Sequence, residues 1–82
     1  MTLYKLTAHV GRSNIDYLLL KNNSQLEISI CQEENGEPLC RSGAFNLSND
    51  EKELVELLDL LHQHQVFPIS LDGILEDLGY TI

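Results

Sequence analysis

The sequence predicts an α+β fold: a four-stranded antiparallel meander followed by two helices packed on one of its faces. Three observations predict it. Apolar residues recur every second position through the first half, and turn residues punctuate that half at short intervals. From Ser48 onward the apolar period changes to that of a helix. With 82 residues there is room for one domain, organised as a sheet over 1–46 and a two-helix cover over 48–80.

Each element can be justified in order. From Thr2 to Val10 the chain alternates, with Tyr4, Leu6, Ala8 and Val10 on one side and Leu3, Lys5, Thr7 and His9 on the other. Gly11 to Asn14 connects to a second strand, Ile15 to Lys21. The Asn22-Asn23-Ser24 turn follows, since asparagine tolerates left-handed backbone. Leu26, Ile28 and Ile30 then alternate with Glu27, Ser29 and Cys31, the pattern of a half-buried strand. Asn35-Gly36 is a type I′ hairpin signal, because both central residues of that turn need positive φ. Pro38 cannot donate to a ladder, so it belongs at the start or edge of a fourth strand ending near Phe45. Ser48-Asn49-Asp50-Glu51 reads as a capping box. Leu54, Leu57, Leu58 and Leu61 form the stripe of the first helix, widened by Val55 and Leu60. Pro68 interrupts the chain. Ser70 then caps a shorter helix with Leu71, Ile74, Leu75 and Leu78 inward, stopped by Gly79.

Charge is lopsided. Residues 1–41 hold five acids against Lys5, Arg12, Lys21 and Arg41, whereas residues 42–82 hold eight acids against Lys52 alone, within a net charge of -8. Such a field repels nucleic acid and attracts basic protein surfaces, so the expected partner is a protein, specifically a basic, nucleic-acid-binding one. A recognition helix carrying Asp72, Glu76 and Asp77 would be repelled by phosphates, which excludes a helix-turn-helix reading. No run of roughly 18 apolar residues is present to span a membrane, and no signal-like apolar run opens the chain. A cytoplasmic monomer is the expectation. Cys31 and Cys40 flank the Asn-Gly turn and could face each other across a hairpin, as two reduced thiols in that compartment.

Chemistry is hard to assemble. His62 and His64, two apart on a helix, point about 200° apart and cannot share one ion. No serine lies in a nucleophile elbow, neither cysteine sits among cations, and no glycine-rich phosphate loop opens a helix. The expectation is a non-enzymatic protein without metal or cofactor. Two surfaces remain. One is an acidic helical face of Glu56, Asp59, Asp72 and Glu76, which serves either to solvate the helices or to imitate a phosphate backbone. The other is the uncovered side of the sheet, with Glu27, Ser29, Cys31 and Glu33 on the third strand and Asp16, Leu18 and Leu20 on the second. Periodicity turns Tyr4 inward.

The order of Thr7-Ala8-His9, Asn14-Ile15, a turn ending in Ser24, Asn35-Gly36 and Phe45 before a Ser-capped helix resembles the small phage-encoded type I-F anti-CRISPR proteins. The resemblance covers about the first 60 residues. It implies a four-stranded antiparallel sheet with two helices on one face, acting as an inhibitor in the host cytoplasm. It also implies a target, the backbone subunits of the CRISPR surveillance (Csy) complex, where target DNA binding is blocked. The family's open-face contacts are an aromatic on the first strand, an aromatic on the second and a glutamate on the third. They fall on Tyr4, on Leu18 or Leu20, and on Cys31 with Glu27 and Glu33 either side. This alignment turns Tyr4 outward, against the periodicity. The alternatives are an antitoxin-like domain that neutralises a basic partner through its acidic helices, and a phage structural or interface module whose sheet pairs with itself.

Overall fold

Four strands form one antiparallel sheet in the order β1-β2-β3-β4: β1 (Thr2–Val10), β2 (Ser13–Asn22), β3 (Gln25–Glu34) and β4 (Glu37–Phe45). Helix α1 (Glu51–Gln63), a 3-10 turn at Pro68–Ser70 and helix α2 (Leu71–Asp77) follow, giving the predicted ββββαα order. The structure, a computed structural model, describes residues 1–80. All three hairpins close through two-residue turns. Asn23 and Ser24 have φ of 49° and 71°, and Asn35 and Gly36 have φ of 55° and 80°. Positive φ at both central residues is the type I′ condition, whose twist matches the strands it joins.

The core lies between the sheet and the helices. Ile15, Tyr17 and Leu19 of β2 and Ile28 and Ile30 of β3 are buried on the covered side. They meet Leu54, Leu57, Leu58 and Leu61 of α1, Val66, and Leu71 and Leu75 of α2. The central strands supply most of the sheet's apolar area, while the edge strands add only Ala8 and Ala44 as buried apolar residues. α1 lies over β1 and β2, and the 3-10 turn over β3 and β4. The Tyr17 hydroxyl donates to the Val66 carbonyl at 2.9 Å, pinning the segment after α1. His62 meets the Tyr17 ring edge-on, with centroids 5.7 Å apart. Its Nε2 lies 3.1 Å from the Thr7 carbonyl, which can only accept, so that nitrogen carries the proton.

Helix ends depart from the sequence reading. Asp50, not Ser48, is the cap of α1: its carboxylate accepts from the Lys52 N–H at 3.0 Å, while Ser48 Oγ, two residues before that cap, accepts from the Asp50 N–H. Aspartate ranks with serine as a cap, and Asp50 is the one placed at the boundary. Ser70 makes no side-chain cap, because the 3-10 turn ahead of α2 has already begun the winding. Both helices end in the same device. The Val66 N–H reaches the Leu61 carbonyl and the Gln65 N–H the His62 carbonyl. The Tyr80 N–H reaches Leu75 and the Gly79 N–H reaches Glu76. These are Schellman closures, with Gln65 (φ 50°) and Gly79 (φ 94°) in the left-handed position. Leu78, expected inward, is 45% exposed because the helix has ended before it.

Two bulges set the register of the edge strands. One lies at Leu3, between the pairs Thr2–Leu20 and Tyr4–Leu19. The other lies at Leu39, between Glu33–Pro38 and Gln32–Cys40. An unbroken ladder from the Asn-Gly turn would set Cys31 against Cys40, as the sequence suggested. The extra residue instead sets Cys40 against Gln32 and Arg41 against Cys31, so the two cysteines fall on opposite faces and both are free.

Candidate protein-binding face

The face of the sheet away from the helices is the candidate site. Alternation along each strand and the cross-strand register place its residues in rows. Thr7, Asp16, Cys31 and Arg41 form one row and Lys5, Leu18, Ser29 and Gly43 the next; Leu20, Glu27 and Phe45 share a third. Glu33 lies beside Asn14 and Pro38 nearer the hairpin turns. Six of the seven residues expected at a binding surface therefore share this face: Leu18, Leu20, Glu27, Ser29, Cys31 and Glu33.

Tyr4 does not. It pairs with buried Leu19, and its hydroxyl donates to Asp59 Oδ1 of α1 at 2.7 Å, so it lies on the covered side. The outward orientation implied by the family alignment is corrected, and the periodicity of β1 gives the reason: Tyr4 continues the row of Leu6 and Ala8 that faces the helices. The Asp59 carboxylate holds the phenol in its neutral form and raises its pKa above the usual 10.0. Asp59 is thereby engaged within the fold, whereas Glu56, Asp72 and Glu76 remain exposed.

Phe45 is the aromatic that sequence reasoning missed. It is 56% exposed and neighbours Glu27 on the open face. Counting from the Asn-Gly turn without a bulge turns Phe45 toward the helices; the extra residue at Leu39 reverses it. Pro38 next to the turn is the one sequence signal for such an irregularity.

Polar contacts on this face are local. Thr7 Oγ1 donates to Asp16 Oδ1 at 2.8 Å, and Lys5 Nζ lies 4.0 Å from the other Asp16 oxygen. Arg41 Nε donates to Ser29 Oγ at 3.1 Å, and Ser29 Oγ sits 3.7 Å from Cys31 Sγ. Glu27 leans over Gly43: a β-carbon there would stand 3.0 Å from Glu27 Oε2. A depression of about 390 Å³ lies at the β3–β4 end, lined by residues including Asp16, Cys31, Glu33, Leu39 and Arg41. It combines both signs of charge with exposed aliphatic surface.

Among the described residues, no three His, Cys, Asp or Glu side chains gather to hold a metal ion, and no helix is long and apolar enough to cross a membrane. His62 is committed to Thr7 and Tyr17, and His9 Nδ1 contacts Asn14 Oδ1. No curated protein and no solved structure matches the chain. Residues 3–79 match a family of unknown function, DUF6514, and with nearly its whole length covered the chain belongs to that family.

Proposed function

We propose that this protein acts by stoichiometric binding of a protein partner through the open sheet face, without turnover, metal or cofactor. The observation that carries the reading is the grouping of Leu18, Leu20 and exposed Phe45 on an uncovered sheet face, among Lys5, Asp16, Glu27, Glu33 and Arg41. Apolar anchors within a charged surround are the composition of interface hot spots. The acidic helical layer supports a basic partner, since long-range attraction raises the rate of encounter more than the final affinity.

In its most specific form the partner is the CRISPR surveillance complex implied by the family resemblance. The shared sheet-and-two-helix architecture and the open-face positions of Leu18, Leu20, Glu27 and Glu33 support that form. Phe45, rather than Tyr4, would then be the aromatic contact. The antitoxin-like form rests on a different observation: Glu56, Asp72 and Glu76 are exposed, and the only ion pair among the described residues joins Lys5 to Asp16.

The test uses purified type I-F surveillance complex and its target DNA. Equimolar protein is expected to block DNA binding, chelator to leave the block intact, and Leu20→Asp with Phe45→Asp to abolish it while the circular dichroism stays unchanged. Unimpeded DNA binding at saturating protein rejects the surveillance-complex form. A photocrosslinker at position 20 or 45 tests the broader reading in the native cell. Crosslinks from positions 56 and 76 instead would reject the sheet face in favour of the helices.

A further inference from the structure

The helical layer carries a second surface, independent of the open sheet face. Leu57 and Leu60 of α1 meet Leu78 and Tyr80, just beyond α2, around a shallow cleft of about 270 Å³. Glu53 and Glu56 stand on its α1 side, and among the described residues no lysine or arginine lines it. Leu60 is 37% exposed and Leu78 is 45% exposed, so the cleft leaves aliphatic surface in water. Tyr80 donates its hydroxyl to Glu53 Oε2 at 3.1 Å, fixing that carboxylate beside the apolar floor. The Schellman closure after α2 holds Leu78 and Tyr80 in place.

We propose that this cleft docks a short amphipathic helical segment of a partner protein, with leucine-type side chains on the floor and lysine or arginine against Glu53 and Glu56. The chemistry selects this occupant. A nucleic acid would be repelled by the carboxylates, and an aliphatic floor gives it nothing to pair with. A second copy would bring the same acids of its own helical layer. The volume lies below the roughly 300–1,000 Å³ of small-molecule pockets, a size for side chains rather than a whole ligand. Laying an apolar helix face in a groove with charged flanks is a recurrent recognition mode.

The experiment is a fluorescence-anisotropy titration of the intact protein with a labelled Leu/Lys peptide whose leucines fall at i, i+3, i+4 and i+7. Peptides of the same composition in scrambled order, and of Leu/Glu composition, serve as comparisons. The patterned Leu/Lys peptide is expected to bind, with the scrambled form about tenfold weaker and the Leu/Glu form not binding. Leu60→Ala with Leu78→Ala should weaken binding about tenfold, and Glu56→Lys by a similar factor. All three side chains are exposed, so circular dichroism should be unchanged. Glu34→Lys with Glu37→Lys removes equal or greater charge at the β3–β4 hairpin and should alter affinity less than about twofold. No binding of the patterned peptide, equal binding of the scrambled one, or an equal loss from the hairpin reversals would overturn the proposal.

Discussion

The two faces of the sheet are buried by different means. On the covered face a second layer does it: the aliphatic side chains of β2 and β3 are closed over by α1 and α2, and the one buried phenol, Tyr17, finds a carbonyl at Val66. On the open face the sheet's own side chains do it. Ser29 is 0% exposed and Glu27 9% exposed with no helix above them. Arg41 reaches Ser29 from the neighbouring strand, and Glu27 lies over the space that Gly43 leaves. Polar side chains that lie flat leave Leu18, Leu20 and Phe45 as the relief of that face. One side is built for cohesion, and the other presents apolar groups that cohesion does not need.

The largest expected effect breaks the comparison most directly. Leu58→Ala should cost about 2–5 kcal/mol, because it removes a fully buried side chain at the centre of the α1 stripe. Leu18→Ala on the open face should cost about 1 kcal/mol or less. Urea unfolding of both variants measures the difference, and equal losses would show that the open face contributes to the core.

Next comes the polar pin of the covered face. Tyr17→Phe should cost about 1–3 kcal/mol by leaving the Val66 carbonyl without its buried donor. The same phenol gives a pH signature. Burial pushes the Tyr17 pKa above 10.0, and Tyr80 is raised by burial and by its bond to Glu53. The unfolded chain then loses these protons first, so stability holds below about pH 10 and falls as pH rises beyond it. Unfolding free energies at pH 8 and above pH 10 should diverge less in Tyr17→Phe than in the parent.

Deleting Leu39 tests the register. Removing the bulge residue should leave an unbroken ladder in which Cys40 still faces Gln32 and Arg41 still faces Cys31. Both thiols should then stay titratable after mild oxidation, and an intramolecular disulfide by non-reducing mass analysis would show that the register had slipped instead. The parent should keep two titratable thiols under the same treatment. The smallest effect belongs to Phe45→Ala, which should alter stability by no more than about 0.5 kcal/mol while removing partner binding.

Much of the fold was legible because local chemistry and global arrangement agree. Asn35-Gly36 demanded its turn, Leu26, Ile28 and Ile30 alternated, and Leu54, Leu57, Leu58 and Leu61 kept helical spacing. The open-face placement of Leu18, Leu20, Glu27, Ser29, Cys31 and Glu33 follows from the same alternation. Phe45 was missed and Cys40 misplaced because a bulge is an insertion in the pairing, which the periodicity of one strand cannot show. Gln65 as a helix stop was likewise hidden, since the left-handed position there is imposed by the backbone bonds of Gln65 and Val66 rather than by a glycine. Tyr4 shows the opposite lesson: the strand's own period gave its orientation, and the borrowed alignment did not.

The two bulges have a consequence for solubility. β1 and β4 are the edges of the sheet, each with a row of backbone groups facing outward, and such edges template fibrous assembly when they are flat and regular. The irregularity at Leu3 interrupts one edge, and that at Leu39, beside a proline without an N–H, interrupts the other. A chain that displays leucine and phenylalanine on an uncovered sheet is thereby guarded against stacking edge to edge into amyloid.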